Sequence, residues 1–315
     1  MSKVSVIIPV FGVENYIERC AKSLFNQTLD DIEFIFINDC TKDNSIAILE
    51  RVIKEYPQRA NQIKIITHKV NKGLPIARQT GLKAATGDFI AHCDSDDWVS
   101  PCMYEKMYNE AKRTKSDIVI CDFYTSDGVK STPQIACHST NNDDFICNCL
   151  CGLDYWAVWN KLVKKDLYLN ITEYPTQNMG EDMVLILQLA YHAQKISYIS
   201  ESYYYYFQNV DSMCKSTSQE SIIKNFVQAK ENLSIIERFF SNKFISKRYS
   251  TCLIFTKYRF KNLLLPLIKE WEYYKIWNKS YPEILFRIFT NKYITTKKKT
   301  KFYLNILSLG KKVFY

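Results

Sequence analysis

No stretch of the 315 residues approaches the roughly 18–20 apolar positions that a bilayer span requires, and the run at 263–268 is far too short. Glycine and proline are scarce, with 8 of each, and 47% of residues are hydrophobic, which excludes collagen-like and intrinsically disordered chains. No G-x-G-x-x-G follows the first apolar run, where the chain reads Pro9-Val10-Phe11-Gly12-Val13-Glu14, and no Walker lysine loop appears. Dinucleotide-dependent dehydrogenases and P-loop enzymes are therefore disfavoured. C-x-x-C pairs are absent too. The 11 cysteines are odd in number and scattered, as expected of reduced thiols, and Cys147, Cys149 and Cys151 have the wrong spacing for zinc. With no signal peptide ahead of the first strand, a cytoplasmic protein is expected.

The net charge of +9 conceals a split. Residues 241–315 hold 17 Lys+Arg against 3 Asp+Glu, whereas the first 240 residues hold 25 basic and 30 acidic ones. The basic segment also carries Trp271, Tyr273, Tyr274, Trp277, Phe286, Phe289, Phe302 and Tyr303. Lys/Arg and aromatics at helical spacing suit a helix lying on an anionic membrane surface. The same pattern also fits a helical cap packed on the body with a solvated basic face. No nucleic-acid-binding module is recognisable, and none is expected as a partner.

Short β-branched runs at 3–10, 32–37, 63–67, 88–93 and 117–122 alternate with helix-like segments at 14–27, 46–56, 75–85 and 101–114. This alternation predicts an α/β domain with a mostly parallel, Rossmann-like sheet covered by helices on both faces. Residues 124–152 read as a polar, cysteine-rich connecting excursion, 156–169 as partly helical, and 196–207 as a strand or hairpin. From about 217 the pattern is helical, with breaks near Pro266 and Pro282. Two regions follow, 1–215 and a basic, aromatic-rich helical 216–315, small enough for one large or two modest domains.

Ligands of parallel sheets bind at the carboxyl ends of the strands. Asp39 and Asp94-Ser95-Asp96 both follow directly after strands, so they converge on one edge of the sheet despite their separation in sequence. Two Asp one residue apart at a strand end can point together, and hard carboxylate oxygens suit Mg²⁺ or Mn²⁺; an acidic turn would show the same residues. Asp39 can accept hydrogen bonds from a nucleotide or serve a helix start. Glu181-Asp182 opens a helix, where the dipole alone favours acids, but a carboxylate there can also take a proton from a sugar hydroxyl.

Taken together the motifs resemble a glycosyltransferase of family 2 with the GT-A fold. The resemblance rests on Val4-Ser5-Val6-Ile7-Ile8-Pro9-Val10-Phe11, Ser23-Leu24-Phe25-Asn26-Gln27-Thr28, Asn38-Asp39-Cys40-Thr41-Lys42-Asp43-Asn44-Ser45, the stretch 71–82 (NKGLPIARQTGL), Asp94-Ser95-Asp96-Asp97, Trp159-Asn160-Lys161 and Gly180-Glu181-Asp182. It covers roughly residues 3–215 and implies a role for each site residue. Pro9, Val10 and Glu14 would line the nucleotide pocket, and Asp39 would bond the uracil with Arg78 nearby. Asp94, with Ser95, would touch the ribose, and Asp96 would hold the Mn²⁺ or Mg²⁺ that bridges the diphosphate. Asp182 would be the catalytic base, with Glu181, Trp159 and Lys161 on the donor-sugar and acceptor side. Cys40 stands where the family has a flexible glycine, no arginine follows Tyr206-Phe207-Gln208, and the Q-x-x-R-W of processive synthases is missing.

The expectation is an inverting, non-processive, metal-dependent enzyme that moves a sugar from a UDP-sugar to a hydroxyl of a glycan or lipid-linked glycan. It would be held at the inner face of the membrane by its basic region. The alternatives are a nucleotidyltransferase acting on a sugar phosphate and a non-catalytic scaffold subunit. A nucleotidyltransferase should carry a glycine-rich basic loop after the first strand, which this chain lacks.

Overall fold

The computed structural model describes residues 2–208, 218–241 and 247–310; the expected boundary at 215/216 and residues 311–315 lie outside this set. The chain runs β1 (Val4–Val10), α1 (Ile17–Phe25), β2 (Ile32–Asn38), α2 (Ser45–Glu55), β3 (Ile63–Thr67), α3 (Leu74–Ala84), β4 (Phe89–His92), β5 (Trp98–Val99) and α4 (Met103–Thr114). It continues with β6 (Ile118–Ser126), β7 (Ser131–Gln134), α5 (Asn142–Cys151), β8 (Lys161–Lys164), α6 (Glu181–His192) and β9 (Ile196–Phe207). The carboxyl-terminal helices are α7 (Gln219–Ser241), α8 (Lys247–Lys261), α9 (Trp271–Lys279), α10 (Arg287–Thr290) and α11 (Thr296–Gly310).

One sheet organises these elements in the order β3-β2-β1-β4-β8-β6-β9-β5, with β7 paired to β6. The first four strands are mutually parallel, with Val6 opposite both Phe34 and Ala91. All seven residues of β1 are buried, so both faces of the sheet are covered. On one of them α3 packs against β1 and β2. Gly81 permits this approach: a Cβ there would lie 2.4 Å from Ile7 Cγ2.

The latter half departs from the linear pattern. Residues 161–164 form β8, which inserts antiparallel between β4 and β6. A four-residue strand whose partners are more than forty positions away leaves no local period to read. Within 124–152 the chain makes the β6–β7 hairpin and then α5, started by Asn141, whose side chain accepts the Asp144 N–H at 3.1 Å. Cys147, Cys149 and Cys151 are buried in α5, which packs on α8. Residues 196–207 form one long strand, β9, rather than a hairpin. Helices α7 and α8 join α5 and α6 in the same continuous apolar core as the sheet. Among the described residues no helix is long and apolar enough to cross a membrane.

Candidate active site

The carboxyl ends of β1, β2, β3 and β4 share one edge, and the loops leaving them are tied together by short side chains. Thr41 Oγ1 accepts the Gly12 N–H at 2.9 Å, Ser45 Oγ accepts the Val13 N–H at 3.1 Å, and Asp43 Oδ2 accepts the Glu14 N–H at 2.9 Å. In return Glu14 Oε2 accepts from the Asn44 backbone and side chain at 2.9 and 3.0 Å. Pro9 and Val10 are buried at the end of β1. The turn in the second loop is made by Cys40 at φ +59°, a left-handed conformation that glycine would adopt without strain.

Asp39 is almost fully enclosed. Its Oδ1 faces His68 Nδ1 at 2.7 Å and accepts the Lys72 N–H at 2.8 Å, and its Oδ2 accepts the Gly73 N–H at 2.8 Å. It therefore holds the turn into α3, where Gly73 sits at φ +85° and a Cβ would come within 3.0 Å of Asn178 Oδ1. That same Asn178 oxygen accepts the Leu74 N–H at 3.1 Å.

Arg78, expected beside Asp39, instead reaches across to three other acids. It is 3% exposed and lies 2.7 Å from Asp94 Oδ1 through Nη2, and 2.7 Å from both Asp182 Oδ1 and Glu181 Oε1 through Nη1. Burial works against its charge, but the three carboxylates outweigh this and hold the guanidinium firmly protonated. The acids respond differently. Burial, with Asp182 and Asp96 nearby, lifts Asp94 to about 6 against the pull of Arg78. Burial also pushes Glu181 well above the usual carboxylate range, with Asp182 adding to the shift and Arg78 opposing it. For Asp182 burial is outweighed by Arg78, by Glu181 and by the Val158 N–H donating to Oδ2 at 3.3 Å, so it stays below its ordinary range and ionised. His92, buried behind Arg78, is driven down to about 3 by burial and by the guanidinium, and is neutral.

Tyr204 was not anticipated from the sequence, although it belongs to the conspicuous tyrosine run at 203–206. Its hydroxyl accepts the Asp94 N–H at 3.1 Å and donates to Asp97 Oδ2 at 2.6 Å, fixing the acidic turn against β9. Ser95 is buried and Asp96 half-buried in this turn, and the Asp96 carbonyl accepts Arg19 Nη2 at 2.9 Å. Trp159 stacks on Tyr204 at 4.4 Å and on Tyr206 at 5.7 Å. Lys161 is in the core: its Nζ donates to the carbonyls of Tyr155 and Ala157 and to Asn160 Oδ1 at 2.7–2.8 Å, and so braces the 155–158 loop that leads to Asp182. Among the described residues no three His, Cys, Asp or Glu side chains converge in metal-binding geometry.

An α/β chain with a curled sheet, an Asp-Ser-Asp turn after β4 and an acidic pair opening α6 defines the GT-A class of folds. Residues 5–174 match the family model described as glycosyl transferase family 2. The chain is 34% identical over 219 residues to the uncharacterized glycosyltransferase EpsJ of Bacillus subtilis, covering 67% of this chain and 62% of that one. It is 33% identical over 230 residues to the cholesterol galactosyltransferase of Borreliella burgdorferi, covering 69% and 63%. Its fold is similar to that of S. aureus TarS 1–349 crystallised with UDP, with a TM-score of 0.68 at 19% identity, covering 90% of this chain and 80% of that one. The chain belongs to glycosyl transferase family 2. Its match spans a little over six-tenths of the length of these curated relatives.

Proposed function

We propose that this chain transfers a sugar from a UDP-sugar to a hydroxyl of a glycan acceptor with inversion at the anomeric carbon. The observation that carries the reading is the Arg78 hub, which gathers Asp94 from the end of β4 and Asp182 from the start of α6 around one guanidinium. Asp182 is ionised and held by donors on both oxygens, as a general base fixed before its substrate arrives requires. It would take the proton of the acceptor hydroxyl as that oxygen bonds to the anomeric carbon and the bond to the diphosphate oxygen breaks, with UDP leaving. Glu181 beside it shares the Arg78 guanidinium, and Trp159 and Lys161 shape the floor and the loop on that side.

The loops stapled through Asp43 and Glu14, with Pro9, Val10 and Asp39 behind them, form the wall proposed for the nucleotide. Asp96 would hold a hard divalent cation, Mn²⁺ or Mg²⁺, with Asp94 beside it on the ribose; such ions take only one or two carboxylates from proteins. Bound there, the cation would neutralise the charge developing on the leaving diphosphate.

The test is UDP release from a panel of UDP-sugars with Mn²⁺ and with chelator. Release should need the cation, and Asp182→Asn should lower it by about 10²–10⁴-fold while the thermal midpoint stays close to wild type. Release of pyrophosphate from a nucleoside triphosphate, or full turnover by Asp182→Asn, would refute the reading.

A further inference from the structure

The carboxyl-terminal helices present a surface that the cleft does not use. Between residues 284 and 306 stand Arg287, Lys292, Lys297, Lys298, Lys299 and Lys301, and no Asp or Glu. The apolar side chains of this region divide into two sets. Trp277 and Phe302 are buried with ring centroids 5.3 Å apart, and Ile284 and Ile288 are fully enclosed, which fastens the segment to the body. Phe286, Phe289 and Leu304 face outward at 85%, 57% and 57% exposure.

Phe289 of the outward set is held in place. Phe289 stacks on Tyr303 with centroids 3.9 Å apart and planes 11° from parallel, Lys299 Nζ donates to the Phe289 carbonyl at 2.7 Å, and the Tyr303 hydroxyl donates to the Leu285 carbonyl. These contacts lock α10 to α11, so Phe289 lies against the turn of α11 that carries Leu304. Lys297 and Lys301, four apart on α11, are exposed on one flank of that helix.

An exposed aromatic cluster rimmed by cations matches a bilayer carrying anionic lipid, where rings enter the headgroup boundary and ammonium groups meet phosphates. A nucleic-acid backbone would use the lysines but leave Phe286 and Leu304 in water. We propose that α10 and α11 dock this protein on an anionic bilayer surface, with Phe286, Phe289 and Leu304 entering the interface and Lys297 and Lys301 on the headgroups. This inference does not depend on the sugar-transfer reading.

The full chain is sedimented with vesicles of phosphatidylcholine alone and of phosphatidylcholine with about 30% phosphatidylglycerol, at roughly 0.1 M and 0.5 M salt. Binding should require phosphatidylglycerol and be largely lost at the higher salt. Lys297→Glu with Lys301→Glu should weaken it by at least about tenfold. Phe286→Ser, at a side chain with few contacts to lose, should weaken it several-fold with an unchanged thermal midpoint. No binding, equal binding to both vesicle types, wild-type binding by the variants, or tighter binding to duplex DNA than to the anionic vesicles would each overturn the proposal.

Discussion

Replacing Arg78 by methionine keeps an unbranched apolar stem and removes the guanidinium that directly contacts Asp94, Glu181 and Asp182. Breaking a buried ionic cluster by deleting one partner costs about 3–5 kcal/mol, because the charges left behind are neither solvated nor paired. With an unfolding entropy of about 2.1 cal/mol/K per residue, a chain of this length should lose about 5–8 °C in its thermal midpoint at pH 7.5. The loss should depend on pH, and its sign follows from Asp182. In the wild type its folded-state pKa is depressed, so its contribution is complete above the unfolded value of about 4 and is lost as pH falls through the folded one. Without Arg78 burial dominates, the carboxyl rises above its unfolded value, and the folded variant takes up a proton that the folded wild type does not. Each pH unit downward should then return up to about 1.4 kcal/mol to the variant. Between pH 7.5 and pH 5.5 the gap to wild type should narrow by about 2 kcal/mol, or roughly 3 °C. Calorimetry of both proteins at the two pH values makes the comparison. A variant as stable as wild type at pH 7.5, or a gap of equal size at both values, would show that Arg78 does not balance these acids.

A second carboxylate gives a pH test away from the cleft. Burial opposes ionisation of Glu33, but Lys64 at 2.8 Å, Ser5 at 2.6 Å and the Thr86 N–H at 2.6 Å outweigh it and bring it down to about 2. Glu33→Gln should cost about 1–3 kcal/mol at pH 7. This difference is complete above about pH 4.5 and disappears as pH falls toward 2, so equal gaps in urea midpoint at pH 7 and pH 3 would refute the assignment. Gly81→Ala should destabilise by about 1–3 kcal/mol although alanine is the better helix former, because the new methyl meets Ile7. A rise in melting temperature would mean that α3 has room to move away from β1.

The parallel half was legible because its strands are short apolar runs closed by turn residues, and because acids directly after such strands must share an edge. Asp39 and Asp94 were placed by that logic alone, whereas the role of the acids opening α6 came from the resemblance. The partners of Arg78 were not, since ion pairs spanning 104 positions leave no spacing to read. Lys161 was put on the donor-sugar and acceptor side by the resemblance alone; its three acceptors exist only once β8 has turned residues 155–160 back on themselves. β8 and α5 were hidden for a related reason. One is four residues long and stabilised from both sides by distant strands, and the other carries cysteine and asparagine where leucine would have marked the helical period.

The bridge made by Arg78 also orders the assembly of the cleft in time. Asp94 follows it by 16 residues, but Asp182 lies 104 residues further along. At about 5–20 residues per second of synthesis, the guanidinium waits roughly 4–18 s between its first carboxylate and its last. During that interval β4 also lacks its neighbour β8, so the half of the cleft built on the parallel strands has an open border. A nascent chain can therefore display the acidic turn well before it owns the carboxylate proposed to activate the acceptor, and reactivity is withheld until α6 has been made.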